Sequence, residues 1–90
     1  MKDKVLLVDD DAMVLAGLKR QLRNQFNIDT ALSGEEALKQ VLKNGPYAVI
    51  VSDFMMPGMN GVEFLSRVKK SNPDTVRMML TGTADMPTAI

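Results

Sequence analysis

The sequence predicts an α/β fold, a doubly wound parallel sheet with helices on both faces. Three observations carry that prediction. Short, continuous apolar runs such as Val5-Leu6-Leu7-Val8 have the pattern of strands buried on both faces. Between them lie segments whose apolar residues recur at helical spacing. Capping and turn residues stand at the junctions.

The elements follow in order. Val5 to Val8 is the first strand. From Ala12 to Asn24, Val14, Leu15, Leu18 and Leu22 form the apolar stripe of a helix, with Asp11 as its N-cap. Lys19, Arg20 and Arg23 fall in its second half, where cations suit the helix dipole. Ile28 to Leu32 reads as a second, weaker strand. Ser33 precedes Glu36 by three residues, a capping box. The helix it opens sets Ala37, Leu38, Val41 and Leu42 on one face, and Asn44-Gly45-Pro46 stops it. Tyr47 to Ser52 is the third strand, with Val49, Ile50 and Val51 consecutive and β-branched. Phe54 to Asn60 is a loop. Asn60 and Glu63 open a third helix with Val62, Leu65 and Val68 inward, and Asn72-Pro73 ends it. Val76 to Leu80 is the fourth strand. Asp85 is placed to N-cap a last helix that has barely begun at Ile90.

Composition narrows the function. The chain has 90 residues, 46% hydrophobic and 24% charged, which suits one folded domain over residues 1–90. Eleven Lys and Arg balance 11 Asp and Glu, so no basic excess exists to neutralise nucleic-acid phosphates. No Cys and no His occur, which excludes disulfides, thiolate or imidazole ligands and an imidazole base. The apolar run after the polar N-terminus is too short for a signal segment or a membrane span, so a cytoplasmic protein is expected.

In parallel α/β sheets, sites form at the carboxyl ends of the strands. Asp9, Asp10 and Asp11 follow the first strand, Asp53 the third, and Thr81 and Gly82 the fourth. Carboxylates on neighbouring strand ends repel each other and raise each other's pKa. A hard divalent cation such as Mg²⁺ relieves that repulsion through oxygen ligands. An Asp beside such a metal can act as a nucleophile toward phosphorus and form an aspartyl phosphate. The Thr81 hydroxyl, on the next strand end, could hydrogen-bond the phosphoryl group. Each feature also has a plain alternative: an N-cap for Asp11, solvated strand-end carboxylates for Asp9 and Asp10, a simple turn for Met55 to Gly61. The eight Met residues read as packing.

Three stretches together, Val5-Leu6-Leu7-Val8-Asp9-Asp10-Asp11, Ser52-Asp53-Phe54-Met55-Met56-Pro57-Gly58-Met59-Asn60-Gly61 and Met79-Leu80-Thr81-Gly82, resemble the receiver domain of bacterial two-component response regulators. The resemblance covers nearly the whole chain. It implies the flavodoxin-like strand order 2-1-3-4-(5), with the fifth strand and last helix missing from this chain. It implies that Asp53 is the phosphoacceptor, and that Asp9, Asp10, Asp53 and the Met55 backbone carbonyl hold Mg²⁺. It makes Thr81 the switch hydroxyl. Gly82 leaves access to the phosphoryl group, and Met55 and Thr83 flank the opening. A sensor histidine kinase or phosphotransfer protein is the implied partner. The protein is then a signalling module that catalyses only its own phosphorylation and dephosphorylation, not an enzyme with an external substrate.

The resemblance also implies a lysine at the end of a fifth strand, and no Lys occurs after Lys70. Slow or absent phosphotransfer is the corresponding expectation. A missing end would leave strand four as an unprotected edge and the first helix without a neighbour. Both favour self-association through the strand-four edge or a marginal monomer. Two other readings stand beside the receiver: an assembly module with an idle site, and an aspartyl-phosphate phosphatase. The latter needs a second Asp two residues after the nucleophile, where this chain has Met55.

Overall fold

The computed structural model describes residues 2–81 and 84–89, with side chains through residue 80. The elements run β1 (Lys4–Val8), α1 (Ala12–Leu22), β2 (Asn27–Ala31), α2 (Gly34–Asn44), β3 (Val49–Asp53), α3 (Gly61–Ser71), β4 (Val76–Thr81) and β5 (Ala84–Ala89). They form one sheet in the order β2-β1-β3-β4-β5. The first four strands are parallel, so each returns through a helix. The predicted α/β class, the strand order 2-1-3-4 and the three intervening helices are all present.

Strand periodicity divides the core. Leu6, Val8 and Ile50 point to the face covered by α2 and α3, where Phe64, Leu65 and Val68 pack against them with Tyr47 and Met79. Val5, Leu7 and Ile28 point to the opposite face, where Leu15 meets them and Leu18 and Leu22 are partly buried. The continuous apolar run of β1 is thus explained: it is an interior strand, and both its faces are covered.

The caps stand where the residue types place them. Asp11 Oδ1 accepts from the backbone N–H of Met13 at 2.9 Å and of Val14 at 3.3 Å. Ser33 Oγ accepts from Glu36 N–H at 3.1 Å, and Asn60 Oδ1 from Glu63 N–H at 2.9 Å. The Glu36 carboxylate reaches back to Leu32 N–H at 3.2 Å, one residue beyond the partner of an ideal capping box. Three apolar positions differ from the expected helix faces. Val14 is 40% exposed, Leu42 85% and Val62 46%, while Phe64 is fully buried. Leu42 sits in the last turn of α2, and Val62 lies beside the N-cap of α3, so neither reaches the sheet.

The segment after β4 departs from expectation. Residues Ala84–Ala89 form a strand antiparallel to β4, not the start of a helix capped by Asp85, with a register shift at Leu80/Thr81. A hairpin partner needs no crossover, so the N–H and C=O groups on the outer side of β4 are met by the next residues in the chain. The fourth strand is therefore not the open edge predicted for it, although the strand beside it is antiparallel and so is not the parallel fifth strand of the doubly wound order. Self-association through that edge loses its basis.

Candidate functional site

Asp9 follows β1 directly, and Asp53 is the last residue of β3, the strand paired beside it. This juxtaposition brings Asp9, Asp10 and Asp53 together, with one carboxylate oxygen from each lying within 4.8 Å of the others. Among the described residues the only ion pair is Arg67 with Glu63, so no Lys or Arg neutralises the cluster there.

The three carboxylates differ in setting. Asp9 is 8% exposed, Asp53 is half-buried and Asp10 is exposed. Burial pushes the Asp9 carboxyl above its ordinary range. The Asp11 backbone N–H, which donates to Asp9 Oδ1 at 2.9 Å, opposes that rise. The negative charges of Asp53 and then Asp10 add to it. Asp11 itself caps α1 and stands outside the cluster, in keeping with its plain alternative.

The loop after β3 is shaped by close packing. Gly58 has φ of +74°, in the left-handed region that glycine adopts without strain. At Gly61 a Cβ would lie 2.2 Å from the backbone oxygen of Asp53, a contact no side chain tolerates. Gly61 N–H donates to the Phe54 carbonyl at 3.0 Å, which closes the loop onto the strand end. Met56 and Met59 are buried, and Met59 lies against Gly34 at the start of α2. Met55 is 69% exposed at the rim. The glycines of this stretch thus hold the Asp53 backbone in place, a role more specific than a turn.

Sequence reasoning missed Ser52. It is fully buried, and its Oγ donates to the Asp53 carbonyl at 3.0 Å. That carbonyl is thereby fixed from two sides, by Ser52 and by the approach of Gly61. The signal was a lone polar residue at the end of a β-branched run, which also fits a strand terminus. Leu80 pairs with Asp53, so β4 carries Thr81 to the same end of the sheet. The Thr81 side chain, Gly82 and Thr83 lie outside the described residues.

The donor set suits a hard cation: three carboxylates, no sulfur and no imidazole. Oxygens bound to one Mg²⁺ at about 2.1 Å lie roughly 3–4 Å apart, close to the observed grouping. No helix among the described residues is long and apolar enough to cross a membrane.

The hydrogenase transcriptional regulatory protein HoxA of Cupriavidus necator is 40% identical over 88 residues, covering 94% of this chain and 18% of that protein. The transcriptional regulatory protein PrrA of Mycobacterium tuberculosis is 40% identical over 72 residues, covering 79% of this chain and 30% of that protein. The chain thus spans well under half the length of these curated relatives. Among solved structures, a response regulator receiver domain protein from Clostridium thermocellum superposes with a TM-score of 0.85 at 30% identity, covering 92% of this chain and 68% of that one. A protein described as adenylate cyclase from Rhodopirellula baltica gives 0.86 at 42% identity, covering 90% and 60%. Residues 5–90 match the response regulator receiver domain, and the chain belongs to that family.

Proposed function

We propose that this chain is a phosphoaccepting module of two-component signalling, phosphorylated on Asp53 with Mg²⁺ bound beside it. The observation that carries the reading is the meeting of Asp9, Asp10 and Asp53 at adjacent strand ends with no protein cation among the described residues to neutralise them. Asp9 and Asp10, with Asp53 and the Met55 carbonyl, are the residues that would hold the metal. Bound there, Mg²⁺ supplies positive charge opposite the phosphoryl oxygens.

Asp53 is the nucleophile. One of its carboxylate oxygens forms a bond to phosphorus as the bond from phosphorus to the donor's imidazole nitrogen breaks, and that nitrogen takes a proton. The donor is a phosphohistidine on a sensor kinase or phosphotransfer protein. In dephosphorylation, water attacks phosphorus, the bond to Asp53 breaks, and phosphate and the free carboxylate remain. Ser52 and Gly61, by fixing the Asp53 carbonyl, limit the movement of the attacking group. The Thr81 hydroxyl is the proposed sensor of the product, drawn toward the added negative charge.

The module does not turn over an external metabolite. Met55, two residues past Asp53, is a thioether that cannot donate a proton, which leaves the phosphatase reading without its general acid.

The test is incubation with acetyl phosphate and MgCl₂, followed by intact-mass measurement. One phosphoryl group on the wild type, gained slowly because no lysine follows Lys70, none after chelation and none on Asp53→Asn is the expected result. Failure of the folded wild type to gain mass overturns the reading. Undiminished labelling of Asp53→Asn overturns the assignment of the acceptor.

A further inference from the structure

The opposite margin of the sheet carries a feature that phosphorylation does not use. β2 is an edge strand. Its ladder to β1 takes up the backbone groups of alternate residues, with Asn27 N–H donating to the Asp3 carbonyl and the Ala31 carbonyl accepting from Asp9 N–H. By the same alternation the N–H and C=O groups of Ile28 and Thr30 point outward, away from the sheet. No backbone or side-chain partner meets them among the described residues.

A groove runs along this margin between β2 and α1. Toward the Asn27 end it is a cleft of about 550 Å³ bordered by Lys2, Lys19 and Arg23. Toward the Ala31 end it continues past Lys19 as a cleft of about 340 Å³ lined mainly by Ala12, Leu15, Ala16 and Leu32. The groove is therefore cationic at one end and apolar at the other. None of its cations is in an ion pair among the described residues. The two carboxylates that border it are engaged elsewhere. Asp29 accepts from the Tyr47 hydroxyl at 2.6 Å, and Glu36 accepts from Leu32 N–H at 3.2 Å.

We propose that the β2 margin is a docking site for an extended peptide that adds to the sheet as a further strand. The occupant is a partner-protein segment with acidic side chains at one end and small β-branched side chains at the other. Its backbone would pair with Ile28 and Thr30. Alternate side chains would face α1, placing carboxylates by Lys2, Lys19 and Arg23 and apolar groups by Ala12 and Ala16. Backbone pairing gives affinity with little sequence information, so the charge gradient along the groove sets which segment fits and in which direction.

The experiment is an amide-resolved NMR titration of the 90-residue protein with the synthetic peptide Glu-Thr-Glu-Thr-Val-Thr-Val. The reversed sequence serves for the other strand direction, and a version with Lys in place of Glu is the control. Saturable shifts and slowed hydrogen exchange at Ile28 and Thr30 with either acidic peptide are the expected result. The lysine version should bind at least tenfold more weakly. Lys19→Glu combined with Arg23→Glu should weaken the acidic peptide by a factor of ten or more. Thr30→Pro removes an outward N–H without removing a rung of the ladder, so it should leave the spectrum dispersed and abolish binding. Absence of saturable shifts overturns the proposal, as does undiminished binding by folded Thr30→Pro. Concentration-dependent shifts at the same amides without peptide also overturn it, because the occupant would then be a second copy of the chain.

Discussion

The two ends of the sheet are built on opposite electrostatic plans. At the amino ends of the strands the buried hydroxyls are matched, while Arg77 Nε, at the start of β4, is buried without a partner among the described residues. The buried Tyr47 hydroxyl donates to Asp29 at 2.6 Å, and Lys4 Nζ lies 5.1 Å from the centre of the Tyr47 ring and donates to the Asn44 carbonyl. Thr75 Oγ1, also buried, donates to the Tyr47 carbonyl at 2.7 Å. At the carboxyl ends, Asp9, Asp10 and Asp53 face one another with no protein cation among the described residues. One end pairs its buried hydroxyls, and the other crowds like charges together. Side-chain deletions should therefore change stability in opposite directions at the two ends, and the frustrated end is where a cation and a phosphoryl group have work to do.

The largest effect is on chemistry. Asp53→Asn should abolish phosphoryl uptake from acetyl phosphate while leaving a folded protein, as read by mass and circular dichroism together. Next comes the matched end. Tyr47→Ala should destabilise by about 3–5 kcal/mol, because it removes a buried ring and leaves Asp29 without its donor. Urea unfolding measures this, and a loss below about 1 kcal/mol would break the contrast between the ends. Thr75→Val, nearly isosteric, should cost about 1–3 kcal/mol by leaving the Tyr47 carbonyl unpaired. A neutral result there would show that water replaces the hydroxyl.

Magnesium tests the frustrated end directly. At ten times its dissociation constant, a ligand that binds only the native state stabilises by about 1.4 kcal/mol. The wild type should gain that on adding MgCl₂, and Asp53→Asn should gain less at the same concentration. Equal gains would mean that the cation binds elsewhere.

Much of this contrast was legible in the sequence. Asp11, Ser33 and Asn60 cap their helices because short polar side chains at those positions have orphan N–H groups three residues away or less, a local relation that sequence spacing records. The cluster of Asp9, Asp10 and Asp53 was legible because the two β-branched or leucine-rich runs before them predict adjacent parallel strands that end together. The matched end was not. Tyr47 and Asp29 are 18 residues apart and Thr75 and Tyr47 are 28 apart. Their pairing follows from strand register and depth, which no periodicity encodes. Ser52 escaped for the same reason, since its partner is a backbone carbonyl whose exposure depends on the return of Gly61. The hairpin of Ala84–Ala89 escaped because Asp85 has the residue type of an N-cap, while the pairing opportunity lies in the neighbouring strand rather than in the segment itself.

The smallest expected effect is the one with the most particular sign. Burial, and after it the charges of Asp53 and Asp10, raise the Asp9 carboxyl above its ordinary value of 3.8. Between that value and the raised one, the native state holds a proton that the unfolded chain has released. Stability attributable to Asp9 is therefore full below the ordinary value, falls as pH rises through this window, and is flat above it. Asp10→Asn removes one of the lesser causes, so in metal-free buffer the variant should be more stable than the wild type above the window. The gain should stay below about 1 kcal/mol, because Asp10 is exposed and screened. Below the window, where Asp9 is protonated in both states, the difference should shrink. Saturating Mg²⁺ should reverse it at neutral pH, since the cation favours the carboxylates that otherwise repel. Urea midpoints at a few pH values, with MgCl₂ and with chelator, measure all three. A variant less stable than wild type in chelator at neutral pH would show that Asp10 supports the fold, and that the carboxyl end is matched by contacts of its own.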